Sequence, residues 1–277
     1  SNVLIIFALA SGGTASVAAL FIAGYVPGIL VGLALMFMVF IYAKKKKLPR
    51  AKRAGFKKLF IDFKNAFLSL TLLIIVVGGI VAGIFTATEA AAIAVVYAAL
   101  LGFINKELKF SDFRPVLLKS AKTTAIVMFL IATSMVMSWL FSFEGIPQMM
   151  TDTILDNVSN PIVIFLIINI VLLIVGTFMD MTPAVLIFTP IFLPVAMTLG
   201  MHPVQFGMVI VLNLCIGICT PPVGTLLFVG SGVAEVPVTK VIRPLLSLLG
   251  AMTVVLFLIT YFPEISLWLP RVFGLID

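Results

Sequence analysis

The sequence predicts an all-α polytopic membrane protein, and three observations carry that prediction. Of 277 residues, 62% are hydrophobic and only 10% are charged, against roughly half apolar and a quarter charged in soluble domains. Apolar stretches near or above the roughly 18-residue length of a membrane helix recur from end to end. Strict period-2 alternation is absent, which argues against an outer-membrane barrel.

Hydrophobic runs place spans at 16–43, 66–84, 88–104, 116–141, 161–175, 183–199, 204–234 and 244–262. Residues 3–10 read as the end of a further apolar segment, and the opening SNVLIIF carries neither methionine nor a charged leader. The chain is therefore expected to be the C-terminal part of something longer.

Loop charges then set orientation. Lys44 to Lys47, Arg50, Lys52, Arg53, Lys57, Lys58 and Lys64 contribute ten of the 18 basic residues in one stretch. Between two spans such a run marks a cytoplasmic loop rather than a nucleic-acid site, and as an amphipathic segment it suits anionic membrane lipids. Lys106, Lys109, Arg114, Lys119 and Lys122 put the 105–122 segment on the same side. The IFTATEA turn at 84–90 then faces outward, as does 144–160 with Glu144, Asp152 and Asp156. Lys240 and Arg243 return to the cytoplasm, and Trp268 in PEISLWLPR suits the outer interface.

Composition also limits the chemistry. Cys215 and Cys219, four apart in an apolar helix pattern, read as small buried hydrophobes. With His202 as the only histidine, a transition-metal site lacks ligands. No signature of an organic cofactor is present. An intramembrane hydrolase needs paired aspartates, a Ser/His pair or a zinc motif. Asp180 has no such partner, so the chain is read as no enzyme.

Asp180 is the residue that needs explaining. It sits in GTFMDMTP (176–183), between PIVIFLIINIVLLIV and AVLIFTPIFLPVAMTLG. A cytoplasmic loop here should be basic, yet this one carries only an acid. The segment 161–199 reads either as two short crossing helices or as a re-entrant hairpin with GTFMDMTP at its tip, and loop charge favours the hairpin. Non-helical backbone at membrane depth survives only inside protein or beside a water-filled cavity. An acidic residue there marks a functional site by default.

The following span repeats the pattern. CTPPVG (219–224) interrupts a run too long for one plain helix. Pro221 removes a donor, Pro222 disfavours helical geometry before it, and Gly217 and Gly224 loosen the flanks. A break here is expected to free carbonyl oxygens which, with the Thr220 hydroxyl, form an oxygen cage suited to Na⁺, while half-helix N-termini favour a carboxylate. Asn213 stands just before the break as a further oxygen, and Asn169 is expected to bond a neighbouring helix. Glu89 reads as a structural acid at a helix start capped by Thr86 or Thr88.

Three separated motifs carry a family resemblance in matching order: GGTASVAALFIAGYVPGILVG, GIFTATEAAAIAVVYAALLG, and the run from GTFMDMTP through CIGICTPPVG. They resemble the large membrane subunit of tripartite ATP-independent periplasmic (TRAP) transporters over about residues 12–240. The resemblance implies an elevator-type transporter fold with two inverted repeats, each holding a re-entrant helical hairpin and a broken helix. It implies Na⁺-driven import of carboxylate or sugar-acid substrates across the bacterial inner membrane. The partners it implies are a periplasmic substrate-binding protein, a small four-helix membrane subunit and the remainder of the large subunit, the first repeat.

On that plan 1–43 is the end of the first repeat with a scaffold helix, 44–65 a basic linker and 66–104 a scaffold pair. Residues 105–234 form the transport region, with hairpin 161–199 and broken helix 204–234, and 235–277 is scaffold again. Motif matching puts sodium at Gly176, Thr177, Asp180, Met181 and Thr182 of the hairpin and at Thr220, Pro221, Pro222 and Gly224 of the broken helix. With no arginine clamp visible, the substrate carboxylate is expected at helix ends and polar groups, namely Thr182, Pro183, Asn213 and Thr220. Sialic acid, another sugar acid and a C4-dicarboxylate all remain open as substrates. So do two rival functions: a proton-coupled anion transporter or antiporter with Asp180 as carrier, and a non-conducting membrane scaffold subunit.

Overall fold

A computed structural model describes residues 2–46, 55–81, 83–145, 149, 160–221, 224, 226–227, 230–231 and 235–276. Helix is the only regular secondary structure among them apart from turns. The chain divides into two compact units, residues 1–46 with 127–277, and residues 47–126. Five stretches of the described residues are long and apolar enough to cross a membrane: Val17–Lys46, Phe110–Met137, Pro161–Phe178, Met181–Thr198 and Val238–Tyr261.

In the larger unit, α1 (Asn2–Ala10) ends in the turn Ser11–Gly13, where the Ser11 hydroxyl donates to the Ala8 carbonyl at 2.8 Å. Gly12 and Gly13 take φ of +64° and +82°, a left-handed pair that side chains with a Cβ resist. The first long span is one run in the sequence but two helices in the structure, α2 (Val17–Ala23) and α3 (Tyr25–Lys46). Pro27 is the cause: it has no amide to give Ala23, and its ring crowds that carbonyl, so the helical hydrogen-bond ladder is interrupted at Gly24.

The smaller unit pairs α4 (Phe56–Val81) with α5 (Ala87–Ile104). Helix α4 starts ten residues before the predicted span, because no Gly or Pro interrupts the chain from Phe56 until Gly78. Thr86 caps α5. Its hydroxyl accepts from the Glu89 amide, and the Glu89 carboxylate accepts from the Thr86 amide at 2.8 Å, a reciprocal capping box. Glu89 has the structural role its position implies. Helix α6 (Phe113–Phe143) follows a short 3₁₀ turn.

The remaining helices of the larger unit are α7 (Pro161–Phe178), α8 (Met181–Thr198), α9 (Pro203–Gly217), α10 (Val238–Tyr261) and α11 (Glu264–Val272). Their starts are legible locally. Asn160 and His202 cap α7 and α9 by accepting from Ile162 and Val204, each with proline at the first helical position. His202 is thus a helix cap. Pro244 is tolerated inside α10 near its start.

Helix α9 is the axis of this unit, packing against α2, α7, α8 and α10. It is buried on nearly every face, as a helix apolar all round requires. Phe206 meets Phe7 at 6.2 Å between ring centroids. Gly207 lets α9 approach so closely that an added Cβ would lie 2.7 Å from both Leu20 and Phe7.

Candidate functional site

Two chain breaks meet on one side of α9. The first separates α7 from α8 and is narrower than the sequence reading of an eight-residue tip. Only Met179 and Asp180 leave helical geometry, with ψ of 148° and 156°. Gly176 and Thr177 belong to the last turns of α7, and Met181, Thr182 and Pro183 to the first turn of α8. Pro183 fits there because amides in a first turn have no intrahelical partner to lose.

The second break begins where α9 stops at Gly217. The helix therefore stops inside the 204–234 span, at the edge of the expected break, just before the TPP sequence that forbids its continuation. Hydrogen bonds close the turn. Thr220 N donates to Gly217 O at 2.8 Å, Leu226 N to Ile218 O at 3.2 Å, and Gly224 N to Thr220 O at 3.2 Å. Within the expected break at 219–224 the Thr220 carbonyl holds an amide, as do the carbonyls of Gly217 and Ile218 just before it. Gly224 is buried in this turn, where an added Cβ would stand 2.8 Å from Thr220 O. Pro222 lies outside the described residues.

The helix ends that flank the two breaks touch through glycine. Helices α7 and α9 cross with Gly176 against Gly217, and a Cβ on Gly217 would fall 2.5 Å from the Gly176 Cα. Beside this crossing lies an open cleft of about 490 Å³. Thr177, Thr220 and Pro221 line it together with Leu246, Leu249 and Thr253 of α10. Asp180, Met181, Thr182 and Pro183 do not line it. Asp180 is exposed and caps α8, its Oδ1 accepting from Met181 N at 2.9 Å, while Met181, Thr182 and Pro183 are half-buried.

The chemistry of the cleft follows from three hydroxyl protons. Thr177 donates to Ile174 O at 2.7 Å, Thr220 to Ile216 O at 2.7 Å, and Thr253 to Leu249 O at 2.9 Å. Each hydroxyl has spent its only proton on its own backbone, so each oxygen presents lone pairs. Thr177 sits in the last turn of α7 and Thr220 just past the end of α9. Both helix C-termini bring negative partial charge to the same place. Oxygen acceptors between two helix C-termini suit a hard cation. At the other side of the first break, the N-terminus of α8 offers amides and positive partial charge.

Asn213 stands apart from the cleft. It is fully buried, and its Nδ2 donates to Asn169 Oδ1 at 2.7 Å and to Val209 O at 2.9 Å, while its own Oδ1 has no partner. Asn169 Nδ2 donates to Phe165 O and to Thr260 Oγ1 at 3.2 Å. Gln205 adds bonds to the Ile259 and Thr260 carbonyls, both at 3.0 Å. This chain of amides ties α7, α9 and α10 together. Asn169 does bond its neighbouring helices, as its position in an apolar span implies.

Sequence reasoning missed Thr253, Gln205 and Thr260. Thr253 recurs at helical spacing with Leu246 and Leu249 and was legible as one face of a span. Nothing in the sequence says which neighbour that face meets.

Comparison with known proteins decides the family. The model of the family described as "Tripartite ATP-independent periplasmic transporter, DctM component" matches residues 1–265. The chain belongs to the DctM family. It is 50% identical over 99% of its length to "Uncharacterized protein YgiK" of Salmonella typhimurium, covering 63% of that protein. It is 41% identical over 99% of its length to the C4-dicarboxylate TRAP transporter large permease protein DctM of Pseudomonas aeruginosa, covering 64% of it. To the sialic acid TRAP transporter large permease protein SiaM of Vibrio cholerae it is 39% identical over 98% of its length, covering 63%. The chain thus spans a little under two thirds of these relatives. DctM proteins are transporter permease subunits rather than enzymes, and this chain is a multi-pass membrane protein.

Proposed function

We propose that this chain is the second repeat, with the end of the first, of the permease of a sodium-driven carboxylate importer in the bacterial inner membrane. The observation that carries the reading is the cleft where the two chain breaks meet. Its three acceptor-only threonine oxygens and two helix C-termini favour a cation, and the adjacent N-terminus of α8 favours an anion. In this reading Na⁺ is held by oxygens of Thr177 and Thr220, with Asp180 supplying charge at the hairpin tip. The substrate carboxylate lies toward Thr182 and Pro183. The substrates printed in the names of two relatives, C4-dicarboxylates and sialic acid, share that carboxylate.

Coupling requires sodium to bind the substrate-ready state better than the other. At about −100 mV each entering Na⁺ contributes about 2.3 kcal/mol. The moving part of the proposed elevator is residues 105–234, joined by α10, because the buried bonds of Asn169 and Gln205 to Thr260 and Ile259 hold that helix to α7 and α9. That departs from the sequence reading, which grouped 235–277 with the scaffold. A small four-helix membrane subunit, a periplasmic substrate-binding protein and the rest of the permease complete the proposed assembly.

The test is uptake into proteoliposomes holding the intact transporter and its binding protein, driven by sodium, potassium or proton gradients. The proposal expects uptake with sodium alone, reduced in Thr220→Ala and Asp180→Asn. Uptake that tracks pH and ignores sodium favours the proton-coupled reading. Uptake indifferent to substitution across both breaks returns them to packing.

A further inference from the structure

A second cleft, of about 440 Å³, lies where the last turns of α3 meet α10, away from the threonine cleft. Met38, Ile41, Pro244 and Leu248 give it apolar walls, and Tyr42, Lys45, Lys46 and Ser247 rim it. Its volume is within the range of roughly 300–1,000 Å³ typical of small-molecule sites. The charges that the two helices themselves carry beside it have one sign. Lys44, Lys45 and Lys46 form the last turn of α3, Lys240 and Arg243 stand in the first two turns of α10, and all five are exposed. Lys240, Pro244 and Ser247 follow one another at helical spacing, so the first cation of α10 continues the stripe that lines the cleft. Neither helix carries a carboxylate.

These features select one occupant. A free anion has no use for apolar walls, and the Lys turn disfavours the cationic headgroup of a zwitterionic lipid. An apolar slot ending in lysines at a basic, cytoplasmic membrane face matches a lipid with a chain in the slot and a net negative head at its mouth. We propose that the cleft between α3 and α10 binds one anionic phospholipid of the cytoplasmic leaflet. Its phosphate lies among Lys45, Lys46 and the Tyr42 hydroxyl, and an acyl chain lies along Met38, Ile41, Pro244 and Leu248. The lipid bridges the two helices at their basic ends.

The test uses the full-length transporter in nanodiscs of equal phosphatidylglycerol and phosphatidylcholine, released into native mass spectrometry. One phosphatidylglycerol is expected on the wild-type protein. Lys45→Gln with Lys46→Gln is expected to weaken its retention by roughly thirtyfold. Ser247→Trp, which fills the slot and keeps every charge, is expected to displace it. Equal retention of both lipids, or retention unchanged in both variants, overturns the proposal. So does the absence of any retained lipid, which would mean that a protein segment covers the slot.

Discussion

Gly217 and Gly176 are packed backbone to backbone, so that a Cβ on Gly217 would stand 2.5 Å from the Gly176 Cα. The helix ends that flank two breaks forty residues apart in sequence become neighbours because glycine stands on both helices at their closest approach. Small residues allow such approach in membrane bundles, where packing replaces the hydrophobic effect as the associating force.

The crossing predicts a graded cost. A Cβ on Gly176 meets the Gly217 Cα at 3.0 Å, whereas one on Gly217 meets Gly176 at 2.5 Å. Gly217→Ala is therefore expected to destabilise more than Gly176→Ala, within the range of about 1–3 kcal/mol for overpacking. Thermal unfolding of both purified variants in detergent checks the order. Equal melting temperatures would contradict the geometry.

Asn169 and Asn213 predict a coupled pair. Asn213→Leu strands the buried Asn169 Oδ1, at a cost of about 1–3 kcal/mol. Asn169→Leu removes that acceptor, so the double variant is expected to lose clearly less than the two singles summed. A double-mutant cycle on unfolding midpoints reads this directly, and strict additivity would show that the amides do not act together.

The Thr86–Glu89 box predicts a local effect without a transport effect. Thr86→Ala is expected to cost about 1 kcal/mol and to speed amide exchange in the first turn of α5. Glu89→Gln preserves the box chemistry, so substrate uptake by the full transporter is expected to be unchanged. Uptake lost in Glu89→Gln would give this acid a functional role instead.

How far the sequence carried can be read from particular residues. Span positions were legible because apolar runs, caps such as Asn160, and breakers such as Pro221 act locally. The interruption at Gly24 was legible too, through Pro27, but is hidden when a run is judged by hydropathy alone. Both breaks of the candidate site were visible as GTFMDMTP and CTPPVG, though the first proved to be two residues wide. The fate of the Gly217, Ile218 and Thr220 carbonyls was not visible, because it depends on which amides the turn folds back. Nor was Thr253, whose place in the cleft is set by how α10 lies against α7 and α9, a long-range contact that no local pattern encodes.

The account rests on the claim that the meeting of the two breaks makes a cation site. Sodium-dependent thermal stability of the full-length transporter tests it most directly, because a ligand that binds only the folded state raises its stability by RT ln(1 + [L]/Kd). The account predicts that NaCl raises the melting temperature of the wild-type protein above that in KCl at equal ionic strength. It predicts that Thr177→Val and Thr220→Val, which delete the lining oxygens, each reduce that difference severalfold. A sodium-specific shift that survives undiminished in both variants would place the ion elsewhere and contradict the account.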